Sequence, residues 1–244
     1  MEKTKEILIK YIPAIEKIFG KNLVSIILFG SAVKGDFVKG KSDVNLLVVR
    51  KKQFAEELIS LNKLYTKLKL KINLAVPLVL TENEIKRSTD VFPMEYRDIK
   101  EFHIVLKGRD IFKNLKIEDK YLRLELESQI KGKLILLRES LVQSFKNKKI
   151  LKNVLLNSIP SINVILRNVF ILNKKDAPQN ILELVNSAEK ITKIKFNSFK
   201  EIIRLKQGLK KISPSEITDI YLTYISEIEK LSNYIDKFKI RKRK

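Results

Sequence analysis

The sequence predicts an α+β chain: a small mixed-sheet α/β domain over residues 1–115, then an all-α antiparallel helical bundle over residues 116–244. Three observations carry this. Over roughly the first hundred residues, short apolar runs rich in β-formers alternate with helical patterns. From about Glu118 onward, apolar residues recur at every third and fourth position, the stripe of an amphipathic helix. At 244 residues and 44% apolar content, the chain is large enough to close one or two domain cores.

Taken in order, residues 5–19 place Ile7, Leu8, Tyr11, Ile15 and Ile18 at helical spacing, and Gly20 stops that helix. Leu23-Val24-Ser25-Ile26-Ile27-Leu28-Phe29 reads as a buried strand ending at Gly30-Ser31. After a loop rich in Gly and Lys, residues 44–49 form a second strand whose one polar residue is Asn45. Residues 52–68 read as a helix, 72–80 as a third strand, 82–88 as a short helix, and parts of 92–107 as a fourth strand. In the second half, Leu122, Leu126, Ile130, Leu134, Leu137, Leu141 and Phe145 draw one long stripe. Leu151, Leu155, Ile162, Ile165, Val169 and Leu172 draw another, in which Pro160 is expected to kink the helix or split it. Asp176 with Pro178 reads as the start of a shorter helix, and residues 196–209 as the next. Ser213-Pro214-Ser215-Glu216 has the cap, first-turn proline and glutamate that open a last helix, with Ile217, Tyr221, Tyr224, Ile228, Leu231, Ile235 and Phe238 on one face.

Composition narrows the chemistry. No apolar run approaches the length of a membrane span, and the first residues, broken by Glu2, Glu6 and lysines, lack the centre of a secretory signal, so a cytoplasmic protein is expected. With no cysteine, disulfides, thiolate nucleophiles and Cys-ligated zinc are excluded, a single histidine removes almost every His-based metal site, and any metal is expected to be held by oxygen. Lys and Arg outnumber Asp and Glu by 50 to 28, a net charge of +22. That excess suits RNA or another polyanion as partner; the same lysines also read as solvated helix faces. The basic end, residues 237–244, reads first as a solvated terminus.

The informative stretch is residues 29–49, FGSAVKGDFVKGKSDVNLLVV. A strand that runs straight into Gly30-Ser31 leaves no side chain in the way of an approaching ligand, which suits a triphosphate. Ser31 adds a hydroxyl donor, Gly35 ends the following turn, and Ser42-Asp43 brings a carboxylate to the mouth of the second strand. Because strand side chains alternate, Asp43 and Asn45 project to one side, and together they offer two oxygen ligands to magnesium. His103, between Phe102 and Ile104, reads as a packed or surface residue rather than a base.

Gly30-Ser31, Gly35 and Ser42-Asp43-Val44-Asn45-Leu46 together resemble the signature of the DNA polymerase β type nucleotidyltransferase superfamily, in which a Gly-Ser turn is followed by Asp-x-Asp on the next strand. The α/β-then-bundle layout looks like its bacterial members, among them aminoglycoside nucleotidyltransferases and minimal nucleotidyltransferases with helical partner proteins. The resemblance implies transfer of a nucleoside monophosphate from an NTP such as ATP to a hydroxyl acceptor. It implies Gly30, Ser31, Gly35 and Ser42 at the nucleotide, and Asp43 and Asn45 at Mg2+. In such enzymes three carboxylates hold two metal ions. Here the second is replaced by Asn45, and Ile72-Asn73-Leu74 puts an amide where the third is expected, leaving Glu95 or Asp98 to substitute from the fourth strand. If each lost contact with a metal-bound transition state is worth ~3 kcal/mol, two missing charges slow transfer ~10⁴-fold. Three functions follow: a weakened transferase, a module that keeps the cradle and binds nucleotide or RNA without chemistry, and an antitoxin-like interaction protein whose bundle joins another subunit or a second copy. The positive charge favours a polyanionic acceptor over a cationic aminoglycoside.

Overall fold

The computed structural model describes the backbone of residues 2–34, 43–52, 54–69 and 71–240 and, within these, all side chains but those of residues 2–5, 31 and 34. The chain divides into two compact units, Met1–Glu118 and Asp119–Lys244.

The first unit opens with helix α1 (Glu2–Phe19), followed by strand β1 (Leu23–Phe29) and the one-turn helix α2 (Ser31–Lys34). Strand β2 (Asn45–Arg50), helix α3 (Ala55–Lys69), strand β3 (Leu78–Thr81), helices α4 (Glu82–Arg87) and α5 (Pro93–Glu101), and strand β4 (His103–Gly108) complete it. The strands form one mixed sheet in the order β3-β2-β1-β4. β1 lies antiparallel to both β2 and β4, so Phe29 stands between Asn45 and His103, while β2 and β3 run parallel.

Both faces of the sheet are covered, which is why β1 and β2 read as nearly continuous apolar runs. Ile26, Leu28, Leu46 and Val48 pack on Leu8, Ile12 and Ile15 of α1 and Leu61 and Leu68 of α3. On the opposite face Ile27, Leu47 and Val49 meet Ile85 of α4, Tyr96 and Ile99 of α5, and Phe112. Val24 joins that second face because the β1 ladder shifts register between Leu23 and Ser25, breaking strict alternation.

Two expectations for this unit need correction. The third strand is shorter than residues 72–80: Leu74 makes only an isolated parallel bridge to Val44, and the ladder proper begins at Leu78. The stretch assigned to a fourth strand begins as helix α5, with Pro93 in its first turn and Met94, Tyr96 and Ile99 buried; strand geometry starts only at His103. Proline is well placed there because the first amides of a helix have no intrahelical acceptor.

The second unit is helical among its described residues: α6 (Asp119–Ser144), α7 (Lys148–Leu172), α8 (Ile181–Thr192), α9 (Asn197–Lys206) and α10 (Glu216–Asp236). Leu122, Leu126, Ile130, Leu134 and Leu137 of α6 are buried in the expected stripe. α7 runs unbroken through Pro160 rather than splitting. Its length and hydropathy suffice to cross a membrane, and 44% of its most apolar window is buried within the protein. α8 starts later than the Asp176–Pro178 signal, at Asn180, whose side-chain oxygen accepts from the amides of Leu182 and Glu183 at 2.9 and 3.2 Å. Ser213 and Glu216 pair as expected, Glu216 accepting from the Ser213 amide at 2.8 Å while Ser213 Oγ faces the Glu216 amide at 3.4 Å, but α10 itself begins only at Glu216, with Pro214 and Ser215 in the turn before it. Residues 241–244 of the basic end lie outside the described residues.

Candidate functional site

The ends of β1 and β2 build the candidate site. β1 delivers the chain to Gly30, whose φ of +79° is a conformation that side-chain-bearing residues rarely adopt. The Gly30 carbonyl accepts from the Val33 amide at 2.9 Å, closing the single turn of α2. A Cβ on Gly30 would stand 2.8 Å from Asn45 Nδ2 and 3.7 Å from its Cγ, so the room that glycine leaves is taken by the Asn45 amide. The opposed positions of Phe29 and Asn45 in the β1–β2 register make this approach unavoidable.

Asp43 lies just before β2 and is exposed. The next residue, Val44, donates its amide to the Asn73 carbonyl at 2.7 Å and accepts from the Ala75 amide at 3.0 Å. That clasp brings Asn73 beside Asp43, where its Nδ2 donates to Asp43 Oδ1 at 2.6 Å. Asp43 and Asn45 alternate with the buried Val44, and so share the side of the sheet that carries Leu47 and Val49. One carboxylate and two amides therefore stand at this edge. A carboxylamide oxygen can ligate a cation but brings no charge to repay its dehydration.

The remaining sequence candidates are distributed differently. Ser31 begins α2, but its side chain, like all of Gly35 and Ser42, lies outside the described residues. Glu95 is on helix α5, not on a strand, and its side chain is exposed, whereas Met94, Tyr96 and Ile99 are buried. α5 is held against the sheet by Tyr96, whose hydroxyl meets Ser88 Oγ at 2.8 Å and whose phenol is pushed up from its ordinary pKa by burial. Among the described residues, no group of three or more Asp, Glu or His side chains could hold a metal ion. The described donors alone therefore do not make up a two-metal centre.

Sequence reasoning did not anticipate the surroundings of His103. Its Nε2 lies 3.1 Å from Asp110 Oδ1, an oxygen that also accepts from the amides of Phe112 and Lys113. Its ring packs on Phe112 with centroids 5.7 Å apart, and its Nδ1 is buried without a hydrogen-bond partner. The signal for this was modest: an aspartate two residues beyond Gly108, which ends β4.

With this geometry in hand, comparisons with known proteins give one family-model match and a likeness of fold. Residues 8–106 match the family model of the nucleotidyltransferase domain, a span that contains Gly30, Asp43, Asn45 and Asn73. Among solved structures, the chain is similar to spectinomycin adenyltransferase AAD(9) from Enterococcus faecialis, crystallised with ATP and spectinomycin: 14% identity and a TM-score of 0.52, over 94% of this chain and 98% of that one. At that identity the likeness is one of fold. No curated protein matches in sequence. Residues 8–106, which hold nearly all of the sheet, its Gly30 turn and the mouth of β2, are thus the part of this chain that matches the nucleotidyltransferase domain.

Proposed function

We propose that the N-terminal unit binds a nucleoside triphosphate at the Gly30 turn and the mouth of β2, and that nucleotidyl transfer from it is slow. The observation that carries this reading is the described donor set: Asp43 as the single carboxylate among the described residues at this edge, with Asn45 and Asn73 beside it. The left-handed turn at Gly30 brings the chain round so that backbone can face the phosphates, and Ser31 is the residue whose hydroxyl would meet them. Asp43 is the residue to hold a magnesium ion that arrives with the nucleotide, with Asn45 as a neutral second oxygen. A bound metal ion would supply neutralisation of phosphate charge. Asn45 also spares the triphosphate the repulsion of a second carboxylate, so magnesium strengthens binding less here than at a fully acidic site. ATP is the first nucleotide to test, being the one bound by the structural neighbour.

The test is calorimetric titration of the whole protein with ATP and GTP, with and without magnesium, alongside a pyrophosphate-release assay with RNA ends and small hydroxyl compounds as acceptors. Nucleotide binding with release far below the ~1–10³ s⁻¹ of ordinary enzymes supports the proposal. Turnover within that range overturns slow transfer, and absence of binding by any NTP overturns the nucleotide site.

A further inference from the structure

We propose that the helical unit carries a groove for single-stranded RNA, built from the α8–α9 connection and the last turns of α10. This does not rest on nucleotide binding in the N-terminal unit.

The groove follows from how α8 ends. Lys193 takes a left-handed φ of +62° at its C-cap, turning the chain into the short segment that leads to α9. Alternate residues of that segment face opposite hollows. Lys193 and Lys195 line one of about 510 Å³ together with Lys190, while Ile194 lines a second, of about 430 Å³, together with residues of α10. In the second hollow Lys230, Lys237 and Lys239 surround two aromatic rings, Tyr234 and Phe238, whose centroids are 6.0 Å apart. Lys230, Tyr234 and Lys237 fall at helical spacing on one face of the end of α10. The Tyr234 hydroxyl donates to Asn173 Oδ1 at 3.1 Å, which fixes that ring.

Six exposed lysines thus border two adjoining hollows, and five of them have no ion-pair partner among the described residues. The one carboxylate that lines either hollow is already engaged: Glu189 accepts from the Phe196 amide at 2.8 Å and pairs with Lys200 at 2.9 Å and with Lys195 at 4.0 Å. Uncompensated ammonium groups next to aromatic rings have the chemistry that tracks a phosphate backbone while unstacked bases lie on the rings. The hollow is open to solvent and lies beside both rings, so an unstacked base can reach them. Asn233 lines the same hollow and has no side-chain hydrogen bond among the described residues, leaving an amide to meet a 2′-hydroxyl. The wider field points the same way, since residues 119–244 hold 27 of the 50 basic side chains but only 13 of the 28 acidic ones.

Fluorescence anisotropy of the full chain with a labelled oligoribonucleotide of about 12 nucleotides, titrated at several salt concentrations, tests the proposal. Replacing Lys230, Lys237 and Lys239 together by Ala should weaken binding ~10-fold or more and lower the slope of log affinity against log salt by about 2. A charge-matched control, Lys51→Ala, Lys63→Ala and Lys67→Ala in the N-terminal unit, should stay within ~2-fold of wild type. Phe238→Leu should weaken binding ~5-fold or more with the salt slope unchanged, as loss of stacking requires. Circular dichroism of each variant establishes that it is folded. Equal losses in the control triple, equal affinity for duplex RNA or heparin, or unchanged binding by Phe238→Leu would each overturn the groove; equal affinity for single-stranded DNA would overturn its preference for RNA.

Discussion

An aspartate at position 45 would add a negative charge where Gly30 presents no side chain, beside the one carboxylate already there. On the proposed reading, Asn45→Asp raises the factor by which magnesium strengthens ATP binding ~10-fold, about 1.4 kcal/mol, while Asp43→Ala removes the effect of magnesium altogether. Titration of both variants with and without the ion checks this. A lower unfolding midpoint for Asn45→Asp, with no gain in affinity, would instead mean an unpaired charge placed where no cation comes. Glu95 gives a complementary expectation. Because it sits on the exposed side of a helix, Glu95→Gln should change neither ATP affinity nor residual pyrophosphate release by more than ~2-fold; a tenfold loss of release would make α5 a supplier of the missing charge. Much of this geometry could be read in the sequence, since strand alternation alone puts positions 43 and 45 on one side. The Asn73–Asp43 bond could not, because it depends on a single bridge between Val44 and Leu74.

Among the elements, those set by long apolar patterns were legible and those set by a local competition were not. β1, β2, α6 and α10 have their expected positions because a buried face dictates each residue along them. α5 is not legible because Phe92-Pro93-Met94-Glu95-Tyr96 is short, and its aromatics and proline suit a strand edge as well as a first helical turn. The start of α8 is ambiguous because Pro178 looks like a first-turn proline, whereas the cap belongs to Asn180. A third device was invisible in sequence. Glu227 of α10, only 4% exposed, caps α9: its carboxylate accepts from the Ser198 amide at 2.9 Å, Ser198 Oγ at 2.6 Å and the Phe199 amide at 3.2 Å. Burial raises its pKa above the ordinary carboxylate range, with the Ser198 and Phe199 bonds pulling the other way. An acid whose folded pKa is raised contributes stability that is fully present below its unfolded pKa and is lost as pH rises through the folded value. Glu227→Gln, which gives up one acceptor, should therefore cost about 1–2 kcal/mol, with the deficit largest at low pH and shrinking as pH rises. Urea midpoints across the acid-to-neutral range measure this. A deficit that grows with pH would contradict the raised pKa.

At the scale of the whole molecule, the chain forms two compact units, one with a sheet between two helical layers, the other with the buried stripes of α6, α7 and α10. Compact units of this kind are expected to unfold as cooperative blocks. Differential scanning calorimetry should then show two transitions, of which ATP raises one and Glu227→Gln lowers the other; a single transition moved by both would show the units to be energetically one. The cap on α9 also has a consequence in time. α9 has ten residues, too few to persist alone in water, and the acceptor for its first amides lies 29 residues further along the chain. A helix whose first turn is completed by a distant segment orders only when that segment docks, late on the folding path. Glu227 would then govern how long the bundle lasts rather than how fast it forms. Glu227→Gln should raise the unfolding limb of a chevron plot ~5- to 30-fold and leave the refolding limb in place, whereas an equal split between the limbs would put α9 in the folding nucleus.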